Sequence, residues 1–275
     1  MRIAHKLRDN IMAIDREIWV RGFTENDIPR YPCPKCRRGH IQPESEALLK
    51  REPAYSIQSR PHEAWDPDWI VERFSLLMKC DIPTCGELVF AIGRTSMEEY
   101  YDDELDTFAY QPAFYTAAMF PAPPIISIPK DTPRSVSALI KHSFALFWSD
   151  LDACANKVRA SLEQLLTELK VPAHNKKSHP LNLNSRIELF GKATPEHKET
   201  FHALRLVGNI GSHEGKLDQD IILDAYELYE HTLSEIIGRR SETLKAMRAQ
   251  LIASATKGKS ATSRSSAKKP NDQDQ

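Results

Sequence analysis

Residues 79–90 read KCDIPTCGELVF, and this stretch decides how the first half of the chain folds. Cys80 and Cys85 stand between two runs in which apolar residues recur at every second position. These residues are Phe74, Leu76 and Met78 before the pair and Leu88, Phe90 and Ile92 after it. The alternation predicts two β-strands that form a hairpin, with the cysteine pair at its turn.

A second cysteine pair lies upstream, in YPCPKCRRGH at residues 31–40, where Cys33 and Cys36 form a CxxC knuckle. Together with the CxxxxC pair it predicts one tetrahedral site in which all four thiolates bind zinc. His40 is the substitute ligand if one cysteine does not take part. Because four thiolates leave no open position for a substrate, the predicted zinc is structural and stabilises a small sheet with few apolar residues.

The charge balance limits what this region can bind. Lys and Arg total 37 against 38 for Asp and Glu, so any contact with nucleic acid needs a local basic patch. Lys35, Arg37 and Arg38 on the first knuckle are such a patch, and a DNA-binding zinc ribbon is one alternative. The chain has no apolar run of about 18 residues and no signal-peptide core, so we expect a cytoplasmic protein without a membrane span.

Composition also predicts the domain boundaries. EEYYDDELD at residues 98–106 is interpreted as a solvated acidic loop, because its carboxylates have no helical register with a histidine. Prolines concentrated in residues 121–134 predict an extended linker. We therefore expect a zinc-ribbon-like domain over residues 1–120 and a helical domain over 135–252. Residues 253–275 have no apolar period and are expected to be disordered.

From Ser135 the apolar period becomes helical and continues as one long stripe to Leu169. Cys154 falls on this stripe, which predicts a small buried side chain and not a reactive thiol. Arg159 and Glu163 lie one turn apart on its flank. They are interpreted either as a surface pair or as support for a polar patch later in the chain.

That polar patch is in RLVGNIGSHEG, at residues 205–215. Arg205, Asn209 and His213 are spaced i, i+4, i+8 and project from one side of a continuous helix. Arginine can hold a phosphate and histidine can transfer a proton near neutral pH, so the three are candidate catalytic residues. The alternative is a helix end with surface polar groups.

Two glycines in the same stretch leave the local structure open. Gly208 and Gly211 each cost a helix about 1 kcal/mol relative to alanine. Either the helix ends near Gly208, which would spoil the one-sided register, or the glycines allow another helix to approach closely. The sequence does not decide between these interpretations.

Three segments of the second half carry a resemblance to a known family. They are FALFWSDLDACANKVRASLEQLL at residues 144–166, LNSRIELF at 183–190 and RLVGNIGSHEG at 205–215. Over roughly residues 120–240 the chain resembles the domain-of-unknown-function family numbered 4145, which is similar to the HEPN helical superfamily. The resemblance implies a C-terminal all-α bundle, so the expected fold class is α+β, with the zinc-ribbon-like β region first.

The resemblance also implies two functions. Active HEPN proteins are metal-independent RNases that work as dimers and use an R-x4-6-H motif, which would make Arg205 and His213 catalytic here and Asn209 a polar helper. In this chain seven residues separate the arginine from the histidine. Other relatives are non-catalytic binding or assembly modules, and the family occurs in bacterial restriction and phage defence. The first prediction is therefore a non-catalytic homodimeric module that binds RNA or a defence-system protein, and the alternative is a dimeric RNase.

Overall fold

The computed structural model describes residues 14–20, 22–103, 106–210, 217–239 and 242–253. Its first half contains helix α1 (Glu17–Val20), helix α2 (Ala54–Ser59), a 3₁₀ turn (Pro67–Trp69) and strands β1 (Tyr31–Pro32), β2 (His40–Arg51), β3 (Arg73–Cys80), β4 (Leu88–Asp102) and β5 (Thr107–Phe120). Its second half contains helices α3 (Arg134–Leu146), α4 (Leu151–Glu168), α5 (Leu183–Gly191), α6 (Pro195–Ile210) and α7 (Gln219–Ile236). Residues 242–253 are also helical. The predicted α+β class is confirmed.

The five strands form one antiparallel sheet in the order β1-β2-β3-β4-β5. The predicted hairpin is confirmed as β3 and β4, with Cys80 ending β3 and Cys85 in the turn. The inner face of the sheet is buried and carries Phe74, Leu76, Met78, Val89 and Ala91. Leu88, Phe90 and Ile92 alternate as predicted, but they lie on the opposite, exposed face.

The acidic stretch at residues 98–106 differs from the predicted loop. Its first half continues β4 to Asp102 and pairs with β5, so that Tyr101 lies opposite Phe108. The two rings meet edge to face, with centroids 5.3 Å apart. Cross-strand aromatic pairs of this kind stabilise a ribbon, which explains why the strand extends through an acidic sequence. The acidic side chains remain solvated, as predicted for Glu98 and Glu99, both exposed.

The apolar stripe from Ser135 to Leu169 belongs to two helices and not to one. α3 ends at Leu146 and α4 begins at Leu151. Asp150 caps α4, because its carboxylate accepts a hydrogen bond from the backbone N–H of Ala153 at 2.8 Å. The break turns the chain between two stretches of apolar helix that pack against each other.

Aromatic side chains at this break join the helices to the sheet. Trp148 lies 5.7 Å from Trp19 and 5.8 Å from Tyr31, measured between ring centroids. Phe147 lies 6.1 Å from Trp19 in an edge-to-face arrangement. Tyr31 belongs to β1, two residues before Cys33. The start of the first cysteine knuckle is therefore packed directly on the helical half of the chain.

A group of charges makes a second connection between the two halves. The guanidinium of Arg16 donates a hydrogen bond to Asp220 at 3.0 Å and also pairs with Asp224 and Glu227 on α7. Glu227 in turn accepts a hydrogen bond from the backbone N–H of Ile14 at 3.3 Å. The segment before the sheet is thereby fixed to the last long helix of the bundle.

The proline-rich stretch between β5 and α3 packs against the core. Ile125, Ile126 and Ile128 are buried within the same continuous apolar cluster that includes the inner face of the sheet and the helices. The domain boundaries stay predictions. Of the tail predicted for residues 253–275, all but residue 253 lies outside the described residues. In the described part of the chain, no helix has both the length and the apolar character needed to cross a membrane.

Candidate metal centre

The four cysteines of the two pairs come together at the end of the β3–β4 hairpin. Their sulfur atoms all lie within 4.8 Å of one another. The Sγ atoms of Cys33 and Cys85 are 3.8 Å apart, and those of Cys36 and Cys80 are 3.7 Å apart. A tetrahedral centre with metal–sulfur bonds of about 2.3 Å has sulfur–sulfur edges of about 3.8 Å. The cluster therefore has the size of a four-thiolate metal site, while a disulfide needs a sulfur separation of about 2.05 Å.

The backbone turns in the same way after each cysteine pair. Arg37 follows Cys36 with a φ of 55°, and Gly86 follows Cys85 with a φ of 56°. This left-handed conformation allows the following backbone to fold back under the sulfur atoms. Glycine adopts it without cost, whereas at the first knuckle the position is held by an arginine. The guanidinium of Arg37 donates a hydrogen bond to the carbonyl of Ile128 at 3.4 Å.

Gly39 is the point where the two knuckles touch. A Cβ atom at this position would lie 2.3 Å from Oδ1 of Asp81 and 3.0 Å from Sγ of Cys80. Asp81 accepts a hydrogen bond from the backbone N–H of His40 at 2.9 Å, and its own N–H donates to the carbonyl of His40 at 2.9 Å. Only glycine leaves room for this contact, which brings the two cysteine pairs together.

The thiols differ in how readily they ionise. Backbone N–H groups of Arg38 and Gly39 donate hydrogen bonds to Cys36 and lower its pKa to about 6. Burial raises the pKa of Cys80 to about 12 and also raises the pKa of Cys33. One ligand is therefore a thiolate at neutral pH, and at least two must lose a proton when a metal ion binds.

This difference predicts the pH dependence of metal binding. Between about pH 8 and pH 6, protons compete with the metal ion at Cys33 and Cys80, so the apparent affinity should fall at least about 100-fold per pH unit. Below about pH 6, Cys36 also becomes protonated and the fall should steepen to at least about 1,000-fold per unit. Competition with a chromophoric chelator across this range measures both slopes. An affinity independent of pH would contradict binding through these thiolates.

His40 is not part of the cluster. Its side chain is 53% exposed, and its Nδ1 lies 4.0 Å from a carboxylate oxygen of Asp81. Two of the basic residues proposed for nucleic acid have partners within the protein: Lys35 lies 3.5 Å from Glu87, and Arg37 binds Ile128. The first knuckle is therefore organised around the sulfur cluster and its own contacts.

The structure places Arg205 and Asn209 on α6, which continues through Gly208 to Ile210. Both side chains are half-buried. The Nε atom of Arg205 is buried and has no hydrogen-bond partner. His213 and Gly211 lie outside the described residues, so the histidine of this patch stays a prediction.

Gly208 decides between the two interpretations of its stretch. It is buried within α6, and a Cβ atom there would lie 2.4 Å from Cβ of Arg159 on α4. The glycine therefore allows α4 and α6 to approach closely, and the helix does not end there. Among the described residues, Arg159 and Glu163 form no ion pair with each other, and Glu163 is exposed. Cys154 is fully buried as predicted, with its sulfur 3.2 Å from the hydroxyl of Tyr226.

Comparison with known proteins finds two families of unknown function. Residues 21–120 match the family model of the domain of unknown function DUF8608, which covers the cysteine cluster and the sheet. Residues 141–259 match the model of the domain of unknown function DUF4145, which covers most of the helical half. No match was found among curated proteins or among solved structures.

Proposed function

We propose that this protein, which joins a DUF8608 domain to a DUF4145 domain, is a non-catalytic binding and assembly module with a structural zinc ion. The observation that carries the proposal is the cluster of four sulfur atoms, all within 4.8 Å of one another. Zinc favours tetrahedral thiolate ligands, and four of them leave no position for a substrate. The centre therefore stabilises the β domain and does no chemistry.

The helical domain is proposed to be HEPN-like and to form a homodimer through α6. Leu206 and Ile210 lie one turn apart on this helix and are 51% and 36% exposed. Two copies related by a two-fold axis would bury this apolar pair against its counterpart. The same arrangement would place Arg205 and Asn209 of both copies in one cleft, where RNA or a partner protein binds. A bacterial restriction or phage-defence system is the proposed setting, and it rests on the resemblance alone.

The molar mass in solution tests the dimer. We expect the wild type to have the mass of two chains and Leu206→Glu to have the mass of one, because a carboxylate cannot be buried at an apolar two-fold contact without a large cost. Leu228→Glu is the matched control, since Leu228 is similarly exposed on α7. A wild-type monomer, or a Leu206→Glu dimer, would remove α6 from the interface.

A dimeric RNase is the second candidate, and Arg205 favours it, because its guanidinium forms no ion pair with any of the described residues and Asn209 lies one turn away on α6. A half-buried guanidinium without an ion-pair partner can donate hydrogen bonds to a phosphate. In this mechanism Arg205 would hold the scissile phosphate, His213 would transfer the proton and Asn209 would orient one of them.

An RNA binding and cleavage assay separates the two candidates. Arg205→Ala should abolish RNA binding or cleavage and leave the melting temperature nearly unchanged, because the side chain forms no hydrogen bond or ion pair with the described residues. Lys192→Ala, an exposed cation just before α6, is the control. Cleavage by the wild type that is lost in His213→Ala would establish the RNase, and a large loss of stability in Arg205→Ala would assign the arginine to helix packing.

A further inference from the structure

The outer face of the sheet combines a basic row with apolar rows. In the strand register Arg51 lies opposite Arg73, and Arg73 lies opposite Arg94. The next row on the same face places Leu49 near Ser75 and Ile92. The row after that consists of Leu77, Phe90 and Phe120.

The apolar side chains of this face are open to solvent. Phe120 is 78% exposed, Phe90 52%, Ile92 51% and Leu49 57%. An antiparallel sheet with one solvated face usually carries polar residues there. An exposed apolar surface on a folded domain is typical of a binding site. Here the exposed apolar residues lie on β2, β4 and β5, and the half-buried Leu77 of β3 lies beside Phe90.

The arginine row makes the chemistry of the ligand specific. All three arginines are exposed, and like charges directly opposite each other destabilise a sheet. Arg51 and Arg73 donate hydrogen bonds to backbone carbonyls, at 2.8 Å and 3.3 Å, and Arg94 lies 5.7 Å from the centre of the Tyr115 ring. In the part of the chain that the structure describes, none of the three forms an ion pair with a carboxylate. A polyanion would relieve their repulsion.

We propose that this face binds single-stranded RNA, with phosphates along the arginine row and bases stacked on Phe90 and Phe120. Successive rows on one face of a sheet are about 7 Å apart, so the arginine row lies about 14 Å from the row of Phe90 and Phe120. An extended arginine side chain and one nucleotide can together bridge this distance. Stacking on aromatic rings needs bases that are not already paired, which excludes a duplex. The choice of RNA over DNA rests on the proposed function of the Arg205 patch.

The net charge of −1 sets the character of the interaction. Without a global positive field, affinity must come from local contacts and should depend on salt only through them. Three phosphate contacts to a single strand predict a slope of about −2 in a plot of log affinity against log salt. If the ligand of this apolar face were a protein, its affinity would not follow this salt slope, because no phosphates would be bound.

Fluorescence anisotropy of a labelled 12-nucleotide RNA with the full-length chain tests the proposal. Phe90→Ser and Phe120→Ser should each weaken binding at least about fivefold, which is the lower end of what stacking on one aromatic ring contributes. Arg73→Ala should weaken binding and reduce the salt slope by about 0.7. The matched controls are Leu228→Ser, an exposed apolar residue of α7, and Arg134→Ala, an exposed arginine at the start of α3.

Several outcomes would overturn the proposal. One is equal affinity for duplex and single-stranded RNA. Another is a control variant that loses as much affinity as the sheet variants. A third is the absence of any RNA binding, which would indicate a protein partner for this face. Equal affinity for DNA of the same sequence would overturn the choice of RNA. Loss of binding in Arg205→Ala with full binding in Phe90→Ser would place RNA on the helical patch instead. Conversely, a wild-type monomer that still binds RNA through Phe90 would refute the dimeric module and support the sheet site.

Discussion

Replacing Cys80 by serine should release the metal ion and destabilise the protein by at least about 5 kcal/mol. Binding of structural zinc contributes on the order of 10–16 kcal/mol in small domains, and most of it is folding free energy. Cys80 ends β3 and its sulfur is 3.7 Å from that of Cys36, so no other ligand can replace it without moving the hairpin. Metal content by mass spectrometry and thermal unfolding measure the two effects.

The destabilisation should extend into the helical half. Tyr31 lies two residues before Cys33 and packs on Trp148, with ring centroids 5.8 Å apart. Loss of the metal ion should therefore unfold the β region and also change the fluorescence of Trp19 and Trp148. Cys154→Ala is the matched control, because Cys154 is a fully buried cysteine outside the cluster and should keep one metal ion per chain. A Cys80→Ser variant that retains the metal ion and its melting temperature would contradict a four-thiolate centre.

The cysteine cluster could be predicted from sequence because ligand type and short spacing limit the geometry strongly. The hairpin that carries the second pair followed from alternation alone. Alternation does not say which face is buried, however, and Phe90 shows the consequence. Both Phe90 and its neighbour Val89 are apolar, and only the packing of β4 in the sheet decides that Val89 is buried and Phe90 exposed.

The break between α3 and α4 could not be predicted from the period of the apolar residues, for a different reason. Phe147 continues the apolar stripe, so the pattern contains no interruption at the break. The local signal is Asp150, a good N-cap residue, but an aspartate within a helix is also common. The break is determined by tertiary contacts, since Phe147 and Trp148 pack against Trp19 from the other half of the chain.

Whether Arg205 and Asn209 form one patch depends on the continuity of α6, which the sequence left open. Arg205 and Asn209 share one side only if the helix runs through Gly208, and it does so as far as Ile210. Glycine is a poor helix former, so its place in a packed helix, two residues before Ile210, needs a steric reason. The side chain of Arg159 supplies one, because its Cβ occupies the space that a side chain at position 208 would need.

Gly208→Ala should therefore destabilise the protein, although alanine is the better helix former by about 1 kcal/mol. The new Cβ would lie 2.4 Å from Cβ and 2.9 Å from Cδ of Arg159, which forces α4 and α6 apart. Overpacking of this kind costs about 1–3 kcal/mol. Urea unfolding followed by circular dichroism measures the change in the free energy of unfolding.

A double-mutant cycle identifies the contact responsible. Arg159→Gly removes the opposing Cβ, so adding Gly208→Ala to it should raise the free energy of unfolding by about 1 kcal/mol, the helix preference of alanine, and not lower it. Arg159→Ala keeps the opposing Cβ and should leave the penalty of Gly208→Ala in place. If Gly208→Ala is stabilising in the wild-type background, then α4 and α6 do not approach closely. The fixed position of Arg205 beside their crossing would then lose its physical basis.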